Sequence, residues 1–249
     1  MANTKQTYLG VGKVYLALYA STDPLLFVGN VSQLDLGVEE DEQSLRDYTQ
    51  PGGGEYDNVR RVSSVTLAMT QWDLSKENLS RALRGSSSSL AGSAITDEAV
   101  TARLGGLVEL ARLPDPDIAL VVTNSAGSTT YVLGTDYERT PSGFIPLESG
   151  AITEAQALEV SYTALATDVV EALRSADQSY RLVFEGLNEA ESGRAVVVRI
   201  NRAKFGPLQT LPLIGDGFAN ITVNGSVLAD PAVTAPGRSK YFRIERATA

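Results

Sequence analysis

The stretch VRRVSSVTLAMTQW, residues 59–72, decides the fold because it is a strand pattern longer than the usual five or six residues. Val65, Leu67 and Met69 recur at every second position, which is typical of a strand with one buried face. The intervening side chains are small and uncharged, where a surface strand usually carries Lys and Glu. They are Ser64, Thr66, Ala68 and Thr70. We therefore predict a long strand whose second face suits the wall of a smooth channel.

A glycine-rich loop precedes this strand. Residues 47–56 contain three consecutive glycines, and glycine gives up the most conformational entropy on ordering. We therefore predict that the loop is mobile in an isolated subunit and becomes ordered only against a neighbouring subunit, with its two tyrosines as anchors. The predicted contact residues are Tyr48, Pro51, Gly52, Gly53, Gly54 and Tyr56.

An acidic segment, Glu39-Glu40-Asp41-Glu42, lies upstream of the loop. Carboxylates can serve acid–base chemistry or bind Ca²⁺. However, adjacent residues of a strand point to opposite faces, and the alternating oxygen ligands and glycine of a calcium loop are missing. The pattern favours a solvated or channel-facing acidic patch.

One short helix is predicted after the long strand. Ser75 is a good N-cap, Leu74 and Leu79 occupy the positions of a hydrophobic staple, and Gly85 is expected at the C′ position. The serine-rich run 86–93 has the composition of a flexible connector. The other strands of the core are expected at residues 13–19, 25–31, 34–38, 100–110, 179–186, 194–205 and 217–228.

Residues 113–165 are predicted to form a separate inserted module. They hold seven acids against one base, Arg139, and therefore carry −6 of the net charge of −9. Short strand patterns with frequent turns indicate a small β-sandwich-like domain, with strands at 118–123, 129–133, 143–147 and 157–165. The resulting organisation is a core in two parts, residues 1–112 and 166–249, around the insert.

Composition excludes most catalytic chemistry. The chain has no cysteine and no histidine, so thiolate chemistry, disulfides and every Ser-His arrangement are excluded. The run Gly10-Val11-Gly12-Lys13 lacks the spacing of a phosphate loop and leads into a strand. We predict that the protein is not an enzyme and holds no cofactor or metal.

Partners are also constrained by charge and hydropathy. No basic stripe that would grip phosphates is visible, so tight DNA binding is not expected, although an acidic protein would let a duplex slide past. The first ten residues are polar, and no run of about 18 apolar residues occurs. We therefore expect neither a signal peptide nor a membrane span.

Two parts of the chain resemble a known family. Residues 27–85, which include GNVSQLDLGVEEDEQSLRDYTQPGGGEYDNVRRVSSVTLAMTQWDLSKENLSRALRG, resemble the N-terminal half of the major tail tube proteins of long-tailed bacteriophages. The segments YRLVFEGLNEAESGRAVVVRINRAKFGP (180–207) and GDGFANITVNGSVLADP (215–231) are similar to the C-terminal half.

This resemblance implies a mainly β subunit with one short helix and a two-sheet sandwich or barrel core. Such subunits form hexameric rings that stack into a tube with a continuous β-barrel wall, and DNA passes through it to the host. The glycine-rich loop would contact the next ring, the small face of the long strand would line the lumen, and the insert would be a surface domain. Implied partners are other copies, tail proteins such as the tape measure and terminator, and passing DNA without specific binding. The implied location is the virion tail, with assembly in the host cytoplasm.

Two other hypotheses stay open at this stage. A carbohydrate-binding or adhesive β-sandwich protein would use the insert as its binding module, with exposed aromatics drawn from Tyr131, Tyr137, Phe144 and Tyr162. A hydrolase of unusual type is disfavoured by the missing histidines and nucleophile motifs.

Overall fold

The computed structural model describes residues 7–248, which form a mainly β protein with one short helix. They group into two compact units. The first contains the described residues up to Ser86 and from Val170 onward, and the second is Ser87–Val169.

Sixteen strands and one α-helix are present in the described residues, together with a 3-10 turn at Glu189–Glu191. In chain order they are β1 Gly10–Leu18, β2 Leu26–Phe27, β3 Val31–Arg46, β4 Glu55–Gln71, α1 Lys76–Ala82, β5 Ser86–Leu90, β6 Ser93–Thr101, β7 Val108–Glu109, β8 Val121–Asn124, β9 Tyr137–Thr140, β10 Gly143–Pro146, β11 Ala157–Ala164, β12 Thr167–Glu171, β13 Ser179–Asn188, β14 Arg194–Phe205, β15 Ile221–Val227 and β16 Phe242–Arg246.

The first unit is built on one eight-stranded antiparallel sheet. Its order is β2-β1-β13-β14-β15-β4-β3, and β16 also pairs with β14. Along β14, Val196–Ile200 pairs with β16 while Ala203–Phe205 pairs with β15, so the sheet forks there. The sheet is open, with β2 and β3 at its ends, and the described strands form no closed barrel. The prediction of a mainly β chain with one short helix is confirmed. Its finer prediction of a two-sheet or barrel core is corrected to one forked sheet, because no described strand joins the two ends.

The core of the first unit contains the predicted face of β4. Val65, Leu67 and Met69 are 5%, 1% and 1% exposed, and they pack with buried residues of β1, β13, β14 and β15. The alternate side chains, from Ser64 to Thr70, are only half-buried. The prediction of a two-faced strand is confirmed, and it follows from the period-two geometry of the backbone.

Helix α1 begins as predicted but ends one residue earlier than predicted. The Ser75 side chain accepts a hydrogen bond from the Asn78 N–H at 3.2 Å, which caps the first turn. At the other end, Arg84 takes the left-handed conformation, with φ 48°. The N–H groups of Gly85 and Arg84 donate to the carbonyls of Ser80 and Arg81, the bonding pattern of a Schellman motif.

Gly85 is consequently at C″, and the prediction that it occupies C′ was wrong. Its glycine identity has another cause. A Cβ at this position would lie 2.4 Å from the carbonyl oxygen of Glu171. Close backbone approach, and not a positive φ, therefore requires glycine here.

The serine-rich run is also ordered, contrary to the prediction of a flexible connector. Residues Ser86–Leu90 form β5, which pairs with β12 in a two-stranded sheet. Backbone pairing with β12 outweighs the weak strand preference of a serine run, and this partner lies nearly eighty residues away in sequence, as the bond from Ser89 Oγ to Asp168 shows.

The second unit has its own core and begins earlier than predicted. Its two three-stranded sheets have the orders β6-β11-β8 and β7-β10-β9. Because β6 pairs with β11 from Thr101↔Ala157 to Ser93↔Ala164, the unit starts at Ser87 and not at residue 113. Phe144, Val122 and Val160 are fully buried in its centre.

One strand expected in this unit is absent from the described residues. Residues 129–133 form only isolated bridges, Thr123↔Thr130 and Leu133↔Tyr137. The Asn124 side chain accepts hydrogen bonds from the N–H groups of Ser128 and Thr129, so it turns the chain before a ladder can form.

Candidate assembly surface

The most unusual feature of the first unit is the outer half of the β3–β4 hairpin. The two strands pair along their whole length, from Val31↔Gln71 to Arg46↔Glu55. Near the core, β4 alternates between buried and half-buried positions, whereas all of β4 from Glu55 to Ser63 and all of β3 from Val38 onward is exposed. We call residues 38–63 the arm. Its side chains have no core to pack against on either face.

The arm exposes large apolar side chains. An isolated two-stranded hairpin is marginally stable in water, and large exposed apolar groups commonly mark interaction sites. The exposed fractions are Val38 55%, Leu45 52%, Tyr48 81%, Tyr56 69%, Val59 50% and Val62 51%. The composition and geometry of the arm therefore favour a surface that is covered by another chain.

The acidic segment lies within the arm as part of β3. Asp41 and Glu42 are directly opposite Arg61 and Arg60 on β4, and the Glu42 carboxylate lies 3.2 Å from the Arg60 guanidinium. Charge pairs across strands contribute roughly 0.2–1 kcal/mol each, so they help to hold the register of the arm. A solvated or channel-facing acidic patch was predicted from the sequence without its basic partners, although the Arg60-Arg61 pair was visible there.

The glycine-rich loop closes the tip of the arm with its own hydrogen bonds. The Asp47 N–H donates to the Gly54 carbonyl at 2.8 Å, and the Asp47 carboxylate accepts from the Thr49 hydroxyl and N–H at 2.6 and 2.8 Å. The two hydrogen bonds from Thr49 lower the pKa of the Asp47 carboxyl group. Gly52 has a φ of 78°, which favours glycine. The loop therefore forms a hydrogen-bonded turn, with Pro51 and Gly54 exposed beside it. Its mobility in an isolated subunit stays a prediction.

The small uncharged face of β4 continues onto both neighbouring strands. Thr70 is opposite Thr222 of β15, and their hydroxyl oxygens are 2.9 Å apart. Thr66 lies between Gly37 of β3 and Ser226 of β15. We call this surface the polar face. It consists of Gln33, Asp35 and Gly37 of β3, Ser64, Thr66, Ala68 and Thr70 of β4, and Thr222, Asn224 and Ser226 of β15.

The β15 residues of the polar face were not among the residues predicted for it. The signal was the same alternation, because Ile221, Val223 and Val227 are buried while Thr222 and Asn224 are exposed. Asp35 is the only charged member of the ten residues, so the surface offers hydroxyls and amides but no basic group.

The sheet also offers an unpaired edge beside the polar face. Among the described strands, β3 is bonded only to β4, so no described strand pairs with the N–H and C=O groups on the other side of this 16-residue strand. Such an edge is a template for pairing with another chain unless charges or bulges block it. The carboxylates of the arm lie along its outer half, which leaves Val31–Gly37 as the least charged part of the edge.

Residues 7–248 show no arrangement suited to metal chemistry, since nowhere in them do three His, Cys, Asp or Glu side chains converge as metal ligands. No helix in the same range is long and apolar enough to cross a membrane.

The four aromatic residues considered for carbohydrate binding lie in the core of the second unit. Tyr131, Tyr137, Phe144 and Tyr162 are at most 6% exposed. The Tyr137 hydroxyl donates to the Leu120 carbonyl at 2.7 Å, and burial together with the hydrogen bond to Glu98 raises the pKa of Tyr162 to about 12. These rings do not form the exposed platform that a sugar would stack on.

Comparison with known proteins gives a family but no activity. No curated protein matches the chain. A family model matches residues 7–245, which is nearly the whole chain and includes both units. The chain therefore belongs to the family described as Protein of unknown function UCP028589.

Proposed function

We propose that this protein is the structural subunit of a bacteriophage tail tube, in which copies form hexameric rings that stack around a channel for DNA. The observation that carries the proposal is the arm, a hairpin of 26 residues, 38–63, exposed on both faces and rich in apolar side chains. A monomeric protein gains nothing from such a feature, whereas an assembling subunit buries it against its neighbour.

The open sheet supplies the means of ring formation. Head-to-tail contacts between copies generate a closed ring when the rotation between neighbours closes. In the proposed ring, the free edge of β3 pairs with a strand of the next copy, so the eight-stranded sheets join into one continuous wall. Ring closure also removes the exposed edges that would otherwise lead to aggregation.

The polar face is proposed to line the channel. Its hydroxyls and amides offer no cation to a phosphate, and the chain has a net charge of −9. Because affinity for nucleic acid comes mainly from Lys and Arg contacts with phosphates, such a wall lets a duplex pass without holding it. The subunit therefore needs no catalytic group, cofactor or metal for this role.

The second unit is proposed to lie on the outside of the tube as a surface domain. Its core is separate from that of the first unit, and the chain enters and leaves it through the paired strands β5 and β12. Other tail proteins, such as the tape measure and terminator, would contact the channel and the ends of the tube.

Electron microscopy of the purified protein at rising concentration tests the proposal. We expect rings, and then tubes of uniform width. The matched variant joins Glu39 to Ser64, which are cross-strand partners, through an Asn-Gly turn and so removes the outer arm. It should stay folded, because no core residue is lost, and should form neither rings nor tubes. Wild-type protein that shows only single particles at every concentration would contradict the proposal.

A further inference from the structure

The loop between β14 and β15 presents a second apolar surface, distinct from the arm. Leu213, Ile214 and Phe218 are 83%, 98% and 94% exposed. The chain on either side is fixed, since Leu211 packs against the core and Ile221 is buried and paired with Gln71. The three side chains are therefore held away from the core of their own subunit. We call residues 212–220 the apolar knob.

Two glycines of the knob would allow another chain to approach its backbone closely. Gly215 and Gly217 flank Asp216, and a Cβ at either glycine would meet no atom within 4 Å. Neither glycine has a positive φ. Nothing within the subunit therefore requires glycine at these positions, whereas a second backbone approaching closely would require it.

The first unit also has a groove with apolar lining residues, which is complementary to the apolar knob. It lies between the beginning of β3, on one branch of the forked sheet, and strands β1, β13, β14 and β16 on the other. Its volume of about 650 Å³ is that of a site for a group of several large side chains. Apolar lining residues include Val11, Leu34, Leu36, Val198 and Ile244. No residue of the knob lines it.

The knob and the groove also carry opposite charges. Arg246 lines the groove, and its guanidinium lies 3.2 Å from the Glu191 carboxylate, which also has Arg194 at 3.9 Å. Two guanidinium groups thus share one carboxylate, which leaves local positive charge at the groove. Asp216 lies between Ile214 and Phe218 in sequence and carries the opposite charge. Complementary charges of this kind fix the orientation of an interface more than they add affinity.

We propose that the apolar knob of one subunit inserts into the groove of a second copy, with Ile214 and Phe218 in the apolar part and Asp216 beside Arg246. The contact is head-to-tail, since each copy uses a different surface towards each neighbour. This inference rests on the proposed function and names the partner and the docking residues of the ring contact. The knob and the arm then provide two independent contacts between copies.

Two double variants test the knob and the groove independently. Ile214→Asp with Phe218→Asp alters only exposed side chains of the knob, and Val11→Asp with Ile244→Asp alters the groove at positions 44% and 57% exposed. Leu173→Asp, at a site 76% exposed outside both surfaces, is the matched control. Thermal melting checks that each variant is folded before association is measured by sedimentation velocity.

We expect the knob variant and the groove variant each to raise the dissociation constant at least about tenfold, as loss of a central apolar anchor does, and the control to leave it unchanged. The decisive measurement uses a 1:1 mixture of the two variants. The groove variant keeps an intact knob and the knob variant keeps an intact groove, so the mixture should form heterodimers and stop there. A photo-crosslinker at position 214 should also reach residues of β3 and β16 in a second copy.

The outcomes distinguish the inference from the proposed function. Normal rings from the knob variant, or crosslinks from position 214 to any other surface, would overturn the inference while the tube proposal stands. Association that depends on the knob but gives no rings or tubes, with no effect of the arm, would overturn the tube proposal while the inference stands. Wild-type protein that never self-associates would overturn both.

Discussion

The inner and outer halves of the β3–β4 hairpin share one backbone ladder but differ in what surrounds them. In the inner half, Leu67 and Met69 are 1% exposed beneath the rest of the sheet. In the outer half, Val59 and Val62 are about half exposed, and no strand among residues 7–248 covers them. The same pairing is thus stabilised by the core at one end and has only its own hydrogen bonds and charge pairs at the other. A neighbouring copy would therefore add the most stability to the outer half.

The largest expected effect comes from truncating one side chain in each half. Leu67→Ala should lower the free energy of unfolding by about 2–5 kcal/mol, because it leaves a cavity in the core. Val62→Ala should change the stability of the monomer by no more than about 0.5 kcal/mol. Urea denaturation of both variants checks this, and similar losses in the two would show that the arm is packed within a single chain.

Removal of the second unit tests whether its boundary is that of an independent domain. A short Gly-Ser linker between Leu90 and Thr167 keeps the paired strands β5 and β12 and removes the rest. We expect a folded protein that still assembles, because the two hydrophobic cores share no residue. Removing residues 113–165 should instead give insoluble protein, since β6 loses its partner β11. Solubility and electron microscopy of both variants decide the point.

Charge on the polar face is expected to affect DNA and not folding. Thr66→Arg with Thr70→Arg adds two cations at half-buried positions that face away from the core. Stability should fall by about 1 kcal/mol or less, mainly through the lost contact with Thr222, whereas arginines forced into a core would cost several kcal/mol each. In assembled tubes, the variant should retain DNA in a salt-dependent manner. Loss of folded protein on thermal melting would contradict an exposed polar face.

The smallest effect is a pH dependence confined to the second unit. The Asp136 carboxylate accepts hydrogen bonds from the N–H groups of Ala151 and Val132, both at 2.8 Å, and these bonds hold its pKa below the usual 3.8. A lowered folded-state pKa contributes stability above the unfolded pKa, and this stability is lost as pH falls through the folded value.

Asp136→Asn should therefore lower the stability of the second unit at neutral pH and weaken its acid sensitivity below about pH 4. The only tryptophan, Trp72, lies in the first unit and all four aromatics of the second core are Tyr or Phe. Tryptophan fluorescence should accordingly be unaffected while the near-ultraviolet tyrosine signal changes. A shift in both signals would mean that the two units unfold together.

Period-two alternation predicted much of the fold. It identified the core face of β4, and it placed β14 at residues 194–205 as observed. Capping chemistry located the start of α1 at Ser75 because an N-cap depends on residues within one turn. Features that depend only on residues close in sequence could therefore be predicted.

Features that depend on residues distant in sequence could not be predicted. The serines of β5 have the composition of a linker, but their order comes from β12, and the boundary of the second unit depends on the pairing of β6 with β11. The forked sheet depends on which part of β14 meets β15 and which meets β16. For the assembly surface, the loop and the small face were located in the sequence, whereas the arm and the knob became visible only through the exposure of each side chain.

Hydrogen exchange of the arm amides, compared between dilute and assembled protein, tests the central claim most directly. If the arm is stabilised by a neighbour, amides of residues 39–46 and 55–63 should exchange quickly in the monomer and become strongly protected on assembly. The amides of residues 65–71 should be protected in both states. An arm that is equally protected in the monomer and in the assembled state would contradict the claim that another copy covers it.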